Sequence, residues 1–584
     1  MARRQRIPSP QPVEEPEWLD EGERLAMEED PVQTMRHLRT TYKSTGGDAR
    51  ARMIVGLGGE APDGRPYARF VATRSEAHLL ALGPPRSHAG KTASMMIPIV
   101  VSQIGPVVTA STKPDILNAT AMARAQHGRL WCYSPDGDTE QLPPGVRELR
   151  WSPVSGAKEW RTALTTAKEM VATLDVSDVR GGGHWKSRAS NLLAPVLHWA
   201  ALTGGTMRDA RDSVYEINNP TGDDGETQGQ LIWRSLAKHG RSGAATAAGG
   251  RDAAMMLSSV LHTGHEERAG IASTAARALE GYELPDAMRS TENPNFDVED
   301  FVRGGEDGIR ADTVYITASS KNQEHVAPLV VALLGQIRAA VYRHHRTHPG
   351  MPMVTFALDE LYGLAPLPDL PHMLSDAGSQ GLLIAAAVQD LTLTRSRWPK
   401  EADSFLTLFQ HVVIYPGIRD TRTLEAVSKL VGNWDKPKET TSRTGYQDGW
   451  SVTTDRVPIL DPSAISQGVE PTNLDILLHL SSGGYGLLRS LPYFRAAPWP
   501  HILTRYLEMA LSGQVPEWVW KQAARSGEQT PGEDVLAGLP VPDLTKWALA
   551  SVGDPSARPC DARWAPRYVV ALRRAEAARR APLH

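Results

Sequence analysis

Short apolar runs alternate with helix-spaced stretches between residues 51 and 153. The runs His78–Leu82, Pro106–Ala110 and Gly128–Tyr133 predict strands, and the alternation predicts a parallel sheet covered on both faces. From about Trp160 to Asp300 the strand signals stop. Helical spacing is predicted over Ala163–Leu174, Trp185–Leu202, Gln228–Lys238, Ala253–Leu261 and Gly270–Tyr282, with flexible breaks at Gly181–Gly183, Asn218–Gly225 and Gly240–Gly250. The strand–helix rhythm then resumes. Strands are predicted at Thr313–Ala318, Pro352–Leu358, Leu382–Val388 and His411–Tyr415, and helices at Glu324–His345, Pro371–Gly378 and Asp420–Val431. The pattern therefore divides the chain into a polar arm (1–50, with one helix near Asp30–Tyr42), a first α/β segment (51–160), an all-α insertion (161–300), a second α/β segment (301–500) and a helical tail (501–584) ending in a basic helix at Val569–Arg580.

Composition narrows this picture. A chain of 584 residues exceeds one ordinary core and predicts about three to five units. With 41% hydrophobic and 22% charged residues it is globular in type. The formal net charge of −4 excludes a global basic field, so a nucleic-acid site must be a local patch or channel. Two cysteines, Cys132 and Cys560, form neither a CxxC pair nor a zinc cluster and fit a reducing cytoplasmic setting. The N-terminal Met-Ala-Arg-Arg-Gln-Arg lacks a secretory h-region, and no stretch reaches the ~18 uninterrupted apolar residues of a membrane helix. The longest candidate, Met95–Ala110, is broken by Pro98, Ser102, Gln103, Gly105 and Pro106.

The chemistry begins after the first predicted strand, with Gly83-Pro84-Pro85-Arg86-Ser87-His88-Ala89-Gly90-Lys91-Thr92. A strand opening into a glycine-closed loop and then a helix is either a phosphate cradle, because loop N–H groups and the helix dipole favour an anion, or a Gly/Pro-rich strand-to-helix turn with an accidental Gly-Lys-Thr. Lys91 would reach the terminal phosphates and Thr92 would place its hydroxyl on Mg2+. The candidate ATP contacts are Arg86, Ser87, His88, Ala89, Gly90, Lys91, Thr92 and Ala93. The usual spacing is four residues between the glycines. Here six residues separate Gly83 from Gly90, Pro85 stands at the first-glycine position, and each proline removes an N–H.

Further along, Asp359-Glu360 ends a mostly apolar run, at the strand edge where ligands bind in parallel sheets. Asp359 would hold Mg2+ and Glu360 would polarise the attacking water; the other reading, two acids capping the next helix, loses weight because a phosphate-loop candidate lies upstream in the same pattern. Gln389 ends the next strand, where it either senses the γ-phosphate or is an ordinary turn residue. Lys113, in Ser111-Thr112-Lys113-Pro114-Asp115, either reaches phosphate or DNA or is a surface turn residue.

With these pieces in order, the chain resembles the type IV secretion coupling proteins, the conjugative DNA-transfer ATPases of the additional-strand RecA-like translocase group. The resemblance rests on the Gly83–Thr92 loop, Ser111–Asp115, Trp185…Ala189…Leu192-Leu193 and Val354–Glu360. It continues through Leu367-Pro368-Asp369-Leu370-Pro371, Ser375-Asp376, Gly381, Gln389-Asp390-Leu391, Pro416–Asp420 and Thr423-Leu424, spanning about residues 75–495. It implies a RecA-like P-loop α/β fold with a central, mostly parallel sheet interrupted by an all-α domain. It further implies a homo-hexameric ring that hydrolyses ATP with Mg2+ to move DNA, usually single-stranded and relaxase-linked, toward a secretion channel. An arginine finger is also implied. Arg419 and Arg422 are candidates by position, with a surface structural role as the other reading of each. Two departures accompany the resemblance. The family usually carries N-terminal membrane helices, which this sequence lacks, so the expected location is cytoplasmic, at the membrane's inner face only through a partner protein. His88-Ala89 is an insertion relative to the family loop. Two other functions stay open on sequence alone: a weakly or non-hydrolysing adaptor that recruits nucleoprotein or effector cargo, and a double-stranded DNA pump.

Overall fold

The computed structural model describes residues 52–525, apart from 61–65, 86–89, 138–141, 144, 176–180, 222–224, 306–307, 309, 445–446, 483, 497–498 and 512–514. The helices expected near Asp30–Tyr42 and at Val569–Arg580 lie outside the described residues. Two compact units divide the chain. One combines the residues up to Ser102 with Ala385–His501, and the other combines Gln103–Ile384 with the residues from Ile502 on.

The first unit opens with an antiparallel pair, β1 (Ile54–Glu60) and β2 (Pro66–Ala72), followed by β3 (Leu79–Leu82). All four residues of β3 are fully buried, which is what a continuous apolar run becomes when both sheet faces are covered. The helix beyond the glycine loop starts as a π turn, Thr92–Met96, and continues as an α-helix, Ile97–Ser102. Its Met95, Met96, Ile99 and Val100 are buried.

The second unit carries β4 (Val107–Ser111), β5 (Leu130–Tyr133), β6 (Val146–Glu148), β7 (Thr313–Thr317) and β8 (Val354–Leu358). They lie in the order β8-β4-β7-β5-β6, and every pairing is parallel. Four of the five match predicted strands to within two residues at either end. Arg124 anchors this sheet from helix Asp115–Ala125. It is fully buried, and its guanidinium donates to Gln103 O (2.5 Å), Gly105 O (2.8 Å), Ala311 O (3.0 Å) and Thr313 Oγ1 (2.8 Å). At the far end of the chain, Trp518 Nε1 donates to Ala125 O at 2.9 Å and docks helix Glu517–Arg525 on the same unit.

The stretch between β6 and β7 is helical, as its spacing predicted: Trp160–Ala172, Gly182–Thr203, Met207–Tyr215, Gln228–Gly240, Ala247–Leu261 and His265–Arg277. Thr206 with Asp209, and Thr227 with Gln230, form capping boxes that start two of these helices. Two expected breaks are corrected. Gly182 and Gly183 are helical, because Gly181 alone takes the left-handed turn at φ 76°. Residues 247–250 are helical too. There Gly249 is small because a Cβ would stand 2.8 Å from Trp160 Cβ, so that glycine serves close helix packing and not flexibility.

Helix Gln323–Thr347 is, among the described residues, the one long and apolar enough to cross a membrane. Its Leu329, Val330, Val331, Leu333, Leu334 and Ile337 are wholly buried against protein. Its Arg338 Nη2 donates to Glu169 Oε1 on helix Trp160–Ala172 at 2.7 Å, tying the insertion to the α/β segment. Burial pushes the Glu169 carboxyl up to about 7, against the pull of Arg338 and with the push of Asp369. A carboxyl raised in the folded state adds stability at low pH that is lost as pH rises through its folded value. The stability of this protein is therefore expected to fall between about pH 4.5 and 7 through Glu169. Glu169→Gln should flatten that slope in thermal melts recorded across the window, and an unchanged slope would exclude Glu169 as its source.

The chain returns to the first unit with β9 (Leu382–Val388), whose Ala385–Val388 pairs in parallel with β3, and β10 (His411–Ile414), parallel to β3 on its other side. A polar hairpin follows, β11 (Asn433–Thr444) with β12 (Gln447–Pro458), as a separate two-stranded sheet. Next come β13 (Ile476–Ser481), antiparallel to β10, and β14 (Gly484–Arg489), which pairs with both β13 and β1. The strand order of this unit is β2-β1-β14-β13-β10-β3-β9, parallel around β3 and antiparallel beyond β10.

Candidate functional site

The phosphate-loop candidate is built on β3, between β9 and β10. Gly83 N–H donates to Val388 O at 3.1 Å, carrying the sheet ladder one residue past β3. A Cβ on Gly83 would lie 2.5 Å from Tyr415 Cβ, so only glycine fits where the loop leaves the sheet. Arg86, Ser87, His88 and Ala89 lie outside the described residues. Gly90 closes the loop with φ 64°, a left-handed conformation that suits glycine. Its carbonyl accepts from Ser94 N–H (2.9 Å) and from Ser94 Oγ–H (2.8 Å).

Lys91 is half-buried, and its Nζ donates to Gly83 O (2.5 Å) and Pro84 O (3.0 Å). The ammonium therefore rests on carbonyls of its own loop. Thr92 opens the π turn, which takes in one residue more than an α turn and is a form frequent at functional sites. Ala93 O accepts from Tyr493 N–H at 3.0 Å.

Three more candidates follow strands of this unit. Gln389, just past β9, is exposed, and the adjacent Asp390 caps helix Leu391–Arg395 through Leu393 N–H at 2.7 Å. Arg419 and Arg422 follow β10, are exposed, and form no ion pair among the described residues. Between them Asp420 caps helix Thr421–Val431. Burial opposes its charge, but hydrogen bonds from Thr423 and Thr392 prevail and hold its carboxyl below the usual range.

The carboxylates belong to the second unit. Asp359 and Glu360 follow the last residue of β8, at its C-terminal edge, and both are half-buried. Asp359 Oδ2 accepts from Ser111 Oγ–H at 3.1 Å, and Ser111 is the last residue of the adjacent β4. Glu360 N–H donates to Ala110 O at 3.1 Å, so parallel pairing fixes the backbone of the acidic pair. Lys113 is exposed two residues beyond, its N–H on Ser111 Oγ at 3.4 Å. Cys132 is buried in β5, its Sγ 3.7 Å from Thr317 Oγ1.

The first unit thus holds Gly90, Lys91, Thr92, Ala93, Gln389 and Arg419, and the second holds Asp359 and Glu360. Tyr415 and Ser94 escaped the sequence reading. Their roles depend on a contact across 321 residues, and neither residue type marks itself as part of a phosphate loop.

Comparison with known proteins gives the arrangement its context. Residues 41–465 match the family described as type IV secretory system conjugative DNA transfer. The VirD4 protein of Rhizobium rhizogenes is 21% identical over 420 residues, covering 68% of this chain and 56% of that protein. VirD4 of Agrobacterium fabrum is 21% identical over 422 residues, covering 69% and 57%. The chain thus spans little more than half the length of these curated relatives. Among solved structures, the bacterial conjugative coupling protein TrwBΔN70, in its unbound monoclinic form, is 16% identical with a TM-score of 0.52 over 77% of this chain and 90% of that one. The plasmid coupling protein TrwB in complex with the non-hydrolysable GTP analogue GDPNP is 15% identical, with a TM-score of 0.50 over 71% and 85%. These likenesses show the expected RecA-like α/β P-loop fold.

Proposed function

This chain belongs to the type IV secretory system conjugative DNA transfer family, and from that premise we propose that it is an ATP-driven DNA translocase delivering DNA to a secretion channel. The observation that carries the reading is the loop from Gly83 to Thr92, leaving a buried parallel strand, closed by a left-handed glycine and opening onto a helix. That arrangement presents a helix N-terminus, a lysine and a hydroxyl to an anion. A related plasmid coupling protein holding a GTP analogue supports a nucleoside triphosphate as that anion.

The roles follow residue by residue. Lys91 neutralises charge on the terminal phosphates once it leaves the Gly83 and Pro84 carbonyls. Glu360 takes the proton of the attacking water. Gln389 orients that water, and Arg419 acts on the nucleotide of a neighbouring copy in a homo-hexamer. No cluster of three or more His, Cys, Asp or Glu side chains is found among the described residues. Mg2+ is held by one or two carboxylates, substrate phosphates and waters rather than by a protein cage. The Thr92 hydroxyl and the Asp359 carboxylate are oxygen donors of the kind it takes, and when bound it would neutralise phosphate charge. The cargo is proposed to be single-stranded DNA carrying a relaxase, and the station the inner face of the membrane, reached through a partner protein.

The test is Mg2+-dependent ATP hydrolysis with and without DNA, for wild type and Lys91→Ala. Wild type should turn over and be stimulated by DNA, with stimulation falling steeply as salt rises. Lys91→Ala removes a charge-assisted contact and should weaken nucleotide binding about ten- to hundredfold. Equal turnover by the two proteins would end the motor assignment, and tight cargo binding without any turnover would favour an adaptor. Stimulation by duplex but not single strands would make it a double-stranded DNA pump.

A further inference from the structure

Tyr415 is fully buried immediately after β10 and touches both ends of the candidate phosphate loop. Where the loop begins, its N–H donates to Leu82 O at 2.8 Å, and its Cβ occupies the space a side chain at Gly83 would need. Where the loop ends, its hydroxyl lies 2.9 Å from Ser94 Oγ, inside the protein. Ser94 Oγ in turn lies 2.8 Å from Gly90 O.

The direction of this relay is fixed by counting protons. A carbonyl only accepts, so the single hydroxyl proton of Ser94 goes to Gly90 O. Tyr415 must then donate its own proton to Ser94 Oγ. Gly90 O also receives Ser94 N–H at 2.9 Å and is held toward the helix by two donors. In a trans peptide the C=O and the next N–H point in opposite directions. Holding Gly90 O toward the helix therefore aims Lys91 N–H out of its N-terminus, the direction from which a helix binds an anion.

We propose that Tyr415 is a positioning residue for the nucleotide site, acting through Ser94 to fix the Gly90–Lys91 peptide. The proposal rests on the nucleotide-binding reading above. This loop has particular need of such a fixture. It is two residues longer than the usual spacing, and a longer loop loses more entropy when its ends are held. Pro84 and Pro85 supply no N–H, so each remaining donor counts for more.

Tyr415→Phe keeps the ring and its packing and removes only the donor. Nucleotide affinity is read with a fluorescent ATP analogue, KM and kcat with ATP, and thermal stability without nucleotide. Tyr415→Phe is expected to raise Kd and KM together about fivefold, with kcat at saturating ATP retained. Ser94→Ala should do the same, and the double variant should be no weaker than Ser94→Ala alone, because both interrupt one relay. Wild-type binding with an unchanged Kd in Tyr415→Phe overturns the proposal. So does a lowered melting temperature with unchanged KM, which would mark a packing role. Absence of nucleotide binding by wild type itself overturns the underlying reading and the relay's function with it.

Discussion

Glu360→Gln is expected to lower ATP turnover about a thousandfold while leaving nucleotide binding near the wild-type level. Glu360 stands at the C-terminal edge of a parallel strand, and its own N–H is tied to Ala110 O at 3.1 Å. Strand pairing therefore sets where the side chain starts, and the substitution leaves that pairing in place. Glutamine matches glutamate in shape but cannot take a proton from water, so on the role proposed for Glu360 the chemical step loses its base and the binding steps do not. A positioned general base contributes about 10²–10⁴ in rate. Steady-state turnover together with fluorescent-nucleotide binding separates the two effects. Turnover within tenfold of wild type would remove Glu360 from the role of base.

The second large effect concerns stability. Arg124→Met should destabilise the second unit by roughly 3–5 kcal/mol, measured by denaturant unfolding. Methionine relieves the cost of burying a charge. It also strips the donors from Gln103 O, Gly105 O, Ala311 O and Thr313 Oγ1 together. Each buried acceptor left unpaired costs about 1–3 kcal/mol, so the losses outweigh the relief. These acceptors lie just before β4 and at the start of β7, and a free-energy loss of this size is a large part of ordinary domain stability. Arg124→Lys should recover only part of it, because an ammonium lacks the planar fork that reaches four oxygens at once. A loss under about 1 kcal/mol for Arg124→Met would mean that the acceptors find other partners.

Legibility followed burial. The strands β3, β4, β5, β7, β8, β9 and β10 were visible in the sequence because a strand covered on both faces must be apolar at nearly every position. Strands β1, β2, β6 and β14 were not, and neither was β13, although its Ile476–Leu480 are buried. β1 contains Gly56 and Gly58, which resemble loop glycines, yet a Cβ on Gly56 would meet Arg489 O of β14 at 2.9 Å. Its glycine answers a neighbour more than 400 residues away in sequence. The hairpin β11–β12 escaped because its sequence is mostly polar and carries no sustained apolar period. The short helix Met207–Tyr215 escaped although its capping box at Thr206 and Asp209 is a local signal.

By itself the sequence determined which segments are buried strands, where the all-helical insertion lies, and which chemical groups end those strands: Gly90, Lys91 and Thr92 after β3, Asp359 and Glu360 after β8. These are local properties, since the burial of a strand and the turn chemistry beside it are written in neighbouring residues. Only the tertiary structure decided the strand order, the antiparallel additions beyond β10, and the partners that hold the reactive groups. Ser111 reaches Asp359 across 248 residues, and Tyr415 reaches Ser94 across 321. Serine and tyrosine carry no sign of such partners in their own surroundings. Their hydroxyls acquire a role when sheet register sets β4 beside β8, and β10 beside β3.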